Sequence, residues 1–304
     1  MDFMPTALLS ILILASSLTA PLEKRTYDLA ADGPRVMAGT EAGVVFWEWK
    51  GGSLERTGLA PLPDSVNTLV PVAGGVLACV GPEGVYRVDG RTREAVLLAD
   101  TKGAAMDALT AGETLIVAEG TLGVGFYRGG VETARVPTTD YCRGLGRTGG
   151  TILAACGTDG VLLLDGTGRP LGRLETPGEA RRLSVEGTRL AVALGKAGAR
   201  LYDLSDAAAP RLLAHLDSPD GTHDAQWDGP LLFTAEGKAG FRVFEWTRGG
   251  KAEPRGAFPT AYMANRVRPL GGKLYLAEDG GGFRVMEWKK GKAAQVHPGE
   301  GGKH

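Results

Sequence analysis

One short phrase, built around a glycine, recurs seven times along this chain of 304 residues. Each copy is an apolar run ending near Ala, a Gly-rich turn, and a second apolar run ending in an acidic or aromatic residue. The copies are VMAGTEAGVVFWEW, LACVGPEGVYRVD, VAEGTLGVGFY, AACGTDGVLLLD, VALGKAGARLYD, TAEGKAGFRVFEW and LAEDGGGFRVMEW. Their anchor glycines are Gly43, Gly84, Gly123, Gly160, Gly198, Gly240 and Gly282, spaced by 41, 39, 37, 38, 42 and 42 residues. Such a period marks a series of equivalent units that must stack to bury their apolar faces. It constrains architecture far more than function.

Each unit reads as four short strands. In the sixth copy HDAQWD opens the first strand, PLLFTAE is the second, FRVFEW the third, and a stretch through GAF carries the fourth. Apolar residues alternate, β-branched and aromatic types are common, and Gly or Asp-Gly marks the turns. No sustained helical period runs outside the N-terminal segment, so helices should be few. Four strands in roughly 40 residues is the size of a propeller blade. A single twisted sheet cannot bury either face alone, and only a closed ring leaves no terminal face exposed. The expectation is therefore all-β: a seven-bladed β-propeller of four-stranded antiparallel blades. Small side chains at Ala38, Ala118, Ala155, Ala193, Ala235 and Ala277 would let neighbouring blades approach near the axis. Counted in phase, the ring spans 25–297, with each blade one continuous segment and no strand borrowed from the other terminus. Residues 298–304 read as a disordered tail.

The first twenty residues differ from the rest. Ala7 to Ala20, ALLSILILASSLTA, has the length and small-residue ending of a signal-peptide core, with cleavage after Ser17 or Ala20. This gives 1–20 as a signal peptide or N-terminal hydrophobic segment, and a secreted, periplasmic or cell-surface protein with no stable membrane span after processing. Lys plus Arg (34) nearly balances Asp plus Glu (35), so the net charge of −1 offers no general attraction for nucleic acid. The Arg-, Ala-, Gly- and Leu-rich composition would suit a bacterium with GC-rich coding. Three cysteines are too few for a disulfide-dense scaffold. Cys142 and Cys156 are equidistant from residue 149, inside RTGGT, so a hairpin turning there would set them opposite each other. Either a bridge or two buried thiols would follow, while Cys79 reads as packing.

The fifth copy, RLAVALGKAGARLYDLSDAAAP, resembles the LVIVD repeat, with the closest match over Arg200 to Pro210. The resemblance implies a propeller, often an exported bacterial one, and carries no cofactor or catalytic motif. The first, sixth and seventh copies replace its Asp-rich ending with Glu-Trp, and the second to fourth are looser.

Sixteen or seventeen residues before each anchor glycine the innermost strand begins, at Tyr27, Asn67, Asp107, Arg143, Arg182, Asp224 and Arg266. A polar residue in every copy would converge on one mouth of the central channel. Three arginines and two aspartates give that mouth a local positive excess, beside Arg181, and guanidinium forks suit a carboxylate, phosphate or sulfate. Hydrophilic channel walls that satisfy one another would look the same. The preceding loops bring Tyr141, His223 and Tyr262 to the rim, and exposed aromatics among charges suit a protein or peptide partner. Catalysis has less to draw on. The four histidines show no metal-ligand spacing, and no G-x-S-x-G elbow or phosphate-cradling loop is present. His223 and Asp224 are neighbours that strict strand alternation would send to opposite faces. Glu119, Glu236, Glu278 and Asp279 recur after the second strand and read as solvated turn residues in preference to a calcium site. Trp49, Trp246 and Trp288 read as packing between blades in preference to a sugar platform. The leading expectation is a non-enzymatic scaffold binding a protein or peptide at the mouth, without cofactor or metal. The alternatives are a hydrolase or lyase using His223, Asp107 and the arginines, or a small-anion or carbohydrate binder at the same place.

Overall fold

The computed structural model describes residues 18–19 and 25–287. Among them are seven sheets, each of four antiparallel strands, arranged around one axis. The sixth sheet is typical: Asp224–Asp228 is innermost, followed outward by Leu231–Ala235, Phe241–Trp246 and Ala252–Phe258. The first five blades follow the same in-to-out order, and their four strands match the units read from the repeat.

Alternation along a single strand explains why the sheets stack. In Gly43–Lys50 of the first blade, Val44 and Phe46 pack with Leu69 and Val88 of the second blade. Their neighbours Val45 and Trp47 point the other way and pack with Tyr275 and Phe283 of the seventh. Each blade interface has its own apolar cluster, including the one that joins the seventh blade to the first. A large side chain buried there is worth roughly 1.5–3 kcal/mol, so each blade draws stability from both neighbours. The six second-strand alanines are fully buried, as the close approach of the sheets requires.

In the turns of the second to sixth blades two glycines have distinct work. Gly123 has φ +85°, and a Cβ there would overlap the carbonyl oxygen of Val136 on the outermost strand. Gly120, at φ +57°, instead reaches the next blade, where its backbone exchanges two hydrogen bonds with Cys142 at 2.9 and 3.2 Å. The same bridge joins Gly81 to Ala105, Gly157 to Ala180, Gly195 to Thr222 and Gly237 to Ala264. The repeat is therefore a device for linking blades as well as for turning within them.

Closure departs from the expectation of seven uninterrupted segments. The seventh blade comprises Met263–Leu270, Lys273–Asp279 and Gly282–Glu287, and its outermost strand is Leu18–Thr19. Leu18 lies opposite Val285 and Thr19 opposite Arg284. A strand borrowed from the N-terminal segment covers the edge that the seventh blade would otherwise present. The expected end of the last blade, up to 297, the tail 298–304 and Trp288 lie outside the described residues.

A second correction concerns the recurring acids. Glu119, Glu236 and Glu278 are fully buried and not solvated. Arg135, Arg242 and Arg284 respectively hold them as ion pairs. Asp279 alone of that set is exposed. Trp49 donates from Nε1 to the Tyr275 hydroxyl across the seventh-to-first interface, and Trp246 packs edge-on against Trp227.

Candidate binding site at the channel mouth

Every innermost strand begins with an irregularity that sorts its first two residues into different surroundings. In the first, fourth and seventh blades the register skips Tyr27, Arg143 and Asn265. In the remaining blades Asn67, Met106, Arg181 and His223 donate their backbone N–H to the carbonyl of Cys79, Ala118, Ala193 and Ala235. Those same four second-strand residues already stand opposite Thr68, Asp107, Arg182 and Asp224. Two residues thus oppose one, the arrangement of a β-bulge, which re-aims side chains beside a site.

The result is two stacked rings. The outer one is Tyr27, Asn67, Met106, Arg143, Arg181, His223 and Asn265, all half-buried, and all seven line one cavity of about 270 Å³. Tyr141, Arg182 and Arg266 complete its lining. One residue further along each strand lies the deeper ring: Asp28, Thr68, Asp107, Gly144, Arg182, Asp224 and Arg266. Seven of the ten residues singled out from sequence are therefore brought together at the mouth. Asp107 lines a second cavity of about 350 Å³ deeper in the channel, and Asp224 is fully buried. Tyr262 is half-exposed and lies away from the cavity, over Gly281 in the turn of the seventh blade. Met106, Arg181 and Asn265 complete the outer ring. Counting back from the second-strand alanine instead of the anchor glycine would have found them.

The deeper ring is occupied with holding blades together. Asp28, Asp107 and Asp224 each accept from the N–H of the following residue through Oδ1. Through Oδ2 they accept from Leu69, Leu145 and Val267 on the next blade, at 3.0, 2.9 and 3.3 Å. Arg268 bridges Asp28 and Asp224 at 2.9 and 2.8 Å. Burial works against its charge, but those carboxylates hold Arg268 above the ordinary arginine range. Asp107 is 4.0 Å from Arg182, and burial pushes its carboxyl up to about 6 despite that partner. Arg182 and Arg266 reach across the channel to one acceptor, the Thr68 hydroxyl, at 3.2 and 3.0 Å. They form the floor of the mouth cavity and separate it from the chamber below.

The mouth ring is different in kind. No carboxylate is among its lining residues, whereas four arginines are. Arg143 stacks on the Tyr141 ring at 4.6 Å, and Arg181 meets Glu179 at 3.2 Å on the outside. His223 is pushed below its ordinary value by burial and then by Arg181, so it is neutral near pH 7. His223 and Asp224 do not form a catalytic dyad. The Asp224 carboxylate is taken up by Ala225, Gln226, Val267 and Arg268. No group of three or more His, Cys, Asp or Glu among the described residues could hold a metal ion.

The sequence matches no family model and no curated protein. Many solved structures share the architecture. The WD40 β-propeller domain of Doa1 aligns with TM-score 0.74 and 10% identity, covering 91% of this chain and 97% of that one. The chain is a seven-bladed β-propeller. The computationally designed Ika8 protein is similar to this propeller at TM-score 0.66 and 9% identity, over 88% of this chain and 97% of that one. At such identity the likeness concerns the fold alone, and function has to be read from the site.

Proposed function

We propose that this propeller is an exported, non-catalytic scaffold that binds a protein or peptide partner at the mouth of its channel. The observation that carries this reading is the contrast between the rings. Asp28, Asp107, Asp224 and Arg268 are engaged between blades, while Arg143, Arg181, His223 and Tyr27 stand half-buried around an open cavity. Mixed aromatic and guanidinium groups at such a rim suit protein recognition. The repeat is read as a divergent LVIVD type, of bacterial origin.

Two features support export. Cys142 and Cys156, directly opposed on the fourth blade, form a disulfide, which persists in oxidising compartments. The apolar segment 7–20 supplies a leader, and its cleavage after Ser17 would keep Leu18–Thr19 on the seventh blade, whereas cleavage after Ala20 would remove that strand. We infer the former. N-terminal sequencing of the protein recovered outside the cell should begin at Leu18.

Cross-linking from a photoreactive residue in place of Asn265 tests the binding face. A partner should be captured there and lost in Arg143→Ser/Arg181→Ser. Capture from the outermost strands with none from the mouth would refute the reading.

A further inference from the structure

We propose that the mouth cavity is a site for one carboxylate group on a short alkyl stem, seated between the floor arginines Arg182 and Arg266 and the wall arginines Arg143 and Arg181. This rests on the mouth being the binding face and names the chemistry that face accepts. Arg266 is only 4% exposed, yet its Nη1 makes no hydrogen bond. Its other nitrogens donate to the carbonyls of Tyr27 and Asn67 and to Thr68, which fixes the guanidinium in place. Arg181, on the wall of the same cavity, likewise has a buried Nε without an acceptor. An anion entering the cavity would meet these two guanidinium groups together with those of Arg143 and Arg182, and no carboxylate among the lining residues competes for them.

Two further points define the ligand. The cavity, at about 270 Å³, is smaller than those that enclose drug-sized molecules, which begin near roughly 300 Å³. Tyr27, Met106 and Tyr141 give it apolar wall as well as charge, which suits methylenes behind the anionic head. The Tyr141 ring holds the Arg143 guanidinium in position before any ligand arrives. The carboxylate can belong to a peptide, as a Glu side chain or a C-terminus, or to a free dicarboxylic acid.

Isothermal titration of the full chain at low salt separates these sources. The probes are succinate, a C-terminally amidated peptide whose one carboxylate is a Glu side chain, and the same amidated peptide with Gln in its place. Succinate or the Glu peptide should bind wild type and weaken at least about 10-fold in Arg143→Ser/Arg181→Ser, a loss of about 1.4 kcal/mol. Because these wall residues are half-buried, the double variant should retain the wild-type urea midpoint, and Arg143→Lys/Arg181→Lys should recover part of the affinity. Succinate binding without peptide binding supports the carboxylate site and removes the peptide-partner reading. Equal mouth-dependent binding of the Glu and Gln peptides overturns the site and leaves that reading standing. Failure of both carboxylate probes, or affinity unchanged in the double variant, also overturns it.

Discussion

Tyr27 and Asp28, or His223 and Asp224, are adjacent on their strands and differ in almost everything else. The deeper residue of each pair is fully buried and bonded to the next blade. The shallower one lines a cavity that opposes it with no carboxylate. A single bulged residue at the top of each innermost strand makes this separation. The lesson is that polarity recurring in a propeller channel does not by itself mark a binding site. What distinguishes the rings is that the deeper carboxylates are bonded between blades, whereas the mouth cavity presents arginines with no carboxylate among its lining residues.

The most damaging way to break this comparison is Arg268→Ala. It strands Asp28 and Asp224 as buried carboxylates without their shared cation, and should cost about 3–5 kcal/mol in urea unfolding. An unchanged midpoint would mean that the deeper ring is not structural. The second concerns the fourth blade, which contributes only Gly144 to that ring. There the Cys142–Cys156 bridge fixes the strand that carries Arg143, closing a loop with a sequence separation of 14. Replacing both cysteines by Ala should lower stability by about 3 kcal/mol while the deeper contacts persist. The denatured, unreduced wild type should titrate one thiol, Cys79, and three would refute the bridge.

The smallest effect is a dependence on pH. Burial, opposed by Arg182, raises the Asp107 carboxyl from 3.8 to about 6, so the folded chain holds that proton more tightly than the unfolded one. Its contribution to stability therefore falls as pH rises between about 4 and about 6, by at most about 3 kcal/mol. Asp107→Asn should lack that fall, and parallel profiles for the two proteins would contradict the assignment.

Much of this was legible in the sequence because glycine has few substitutes. The anchors could be counted since a Cβ at Gly123 would overlap the Val136 carbonyl, so blade number and strand order followed. The closing strand was not legible. Leu18–Thr19 is two residues long, carries no part of the repeated phrase, and sits in a segment whose apolarity has another reading. Burial of Glu236 and Glu278 had a signal that was missed: each is followed six residues later by the arginine that neutralises it, Arg242 and Arg284. The site was legible only in part. A bulge shifts phase by one residue without any composition of its own, so Asp107 and Asp224 were grouped with Tyr27 and Arg143. Strict alternation likewise failed for Arg181 and Arg182, consecutive residues that line the same cavity.

The separation of the two rings can be tested at one pair of neighbours. Urea-unfolding free energies of His223→Ala and Asp224→Ala, measured side by side at pH 7, should differ sharply. Loss of Asp224 removes the acceptor of the Val267 N–H and one partner of Arg268, and should cost about 3 kcal/mol or more. Loss of His223 should cost less than about 1 kcal/mol. Equal losses at the two positions would contradict a structural ring lying one residue beneath an available one.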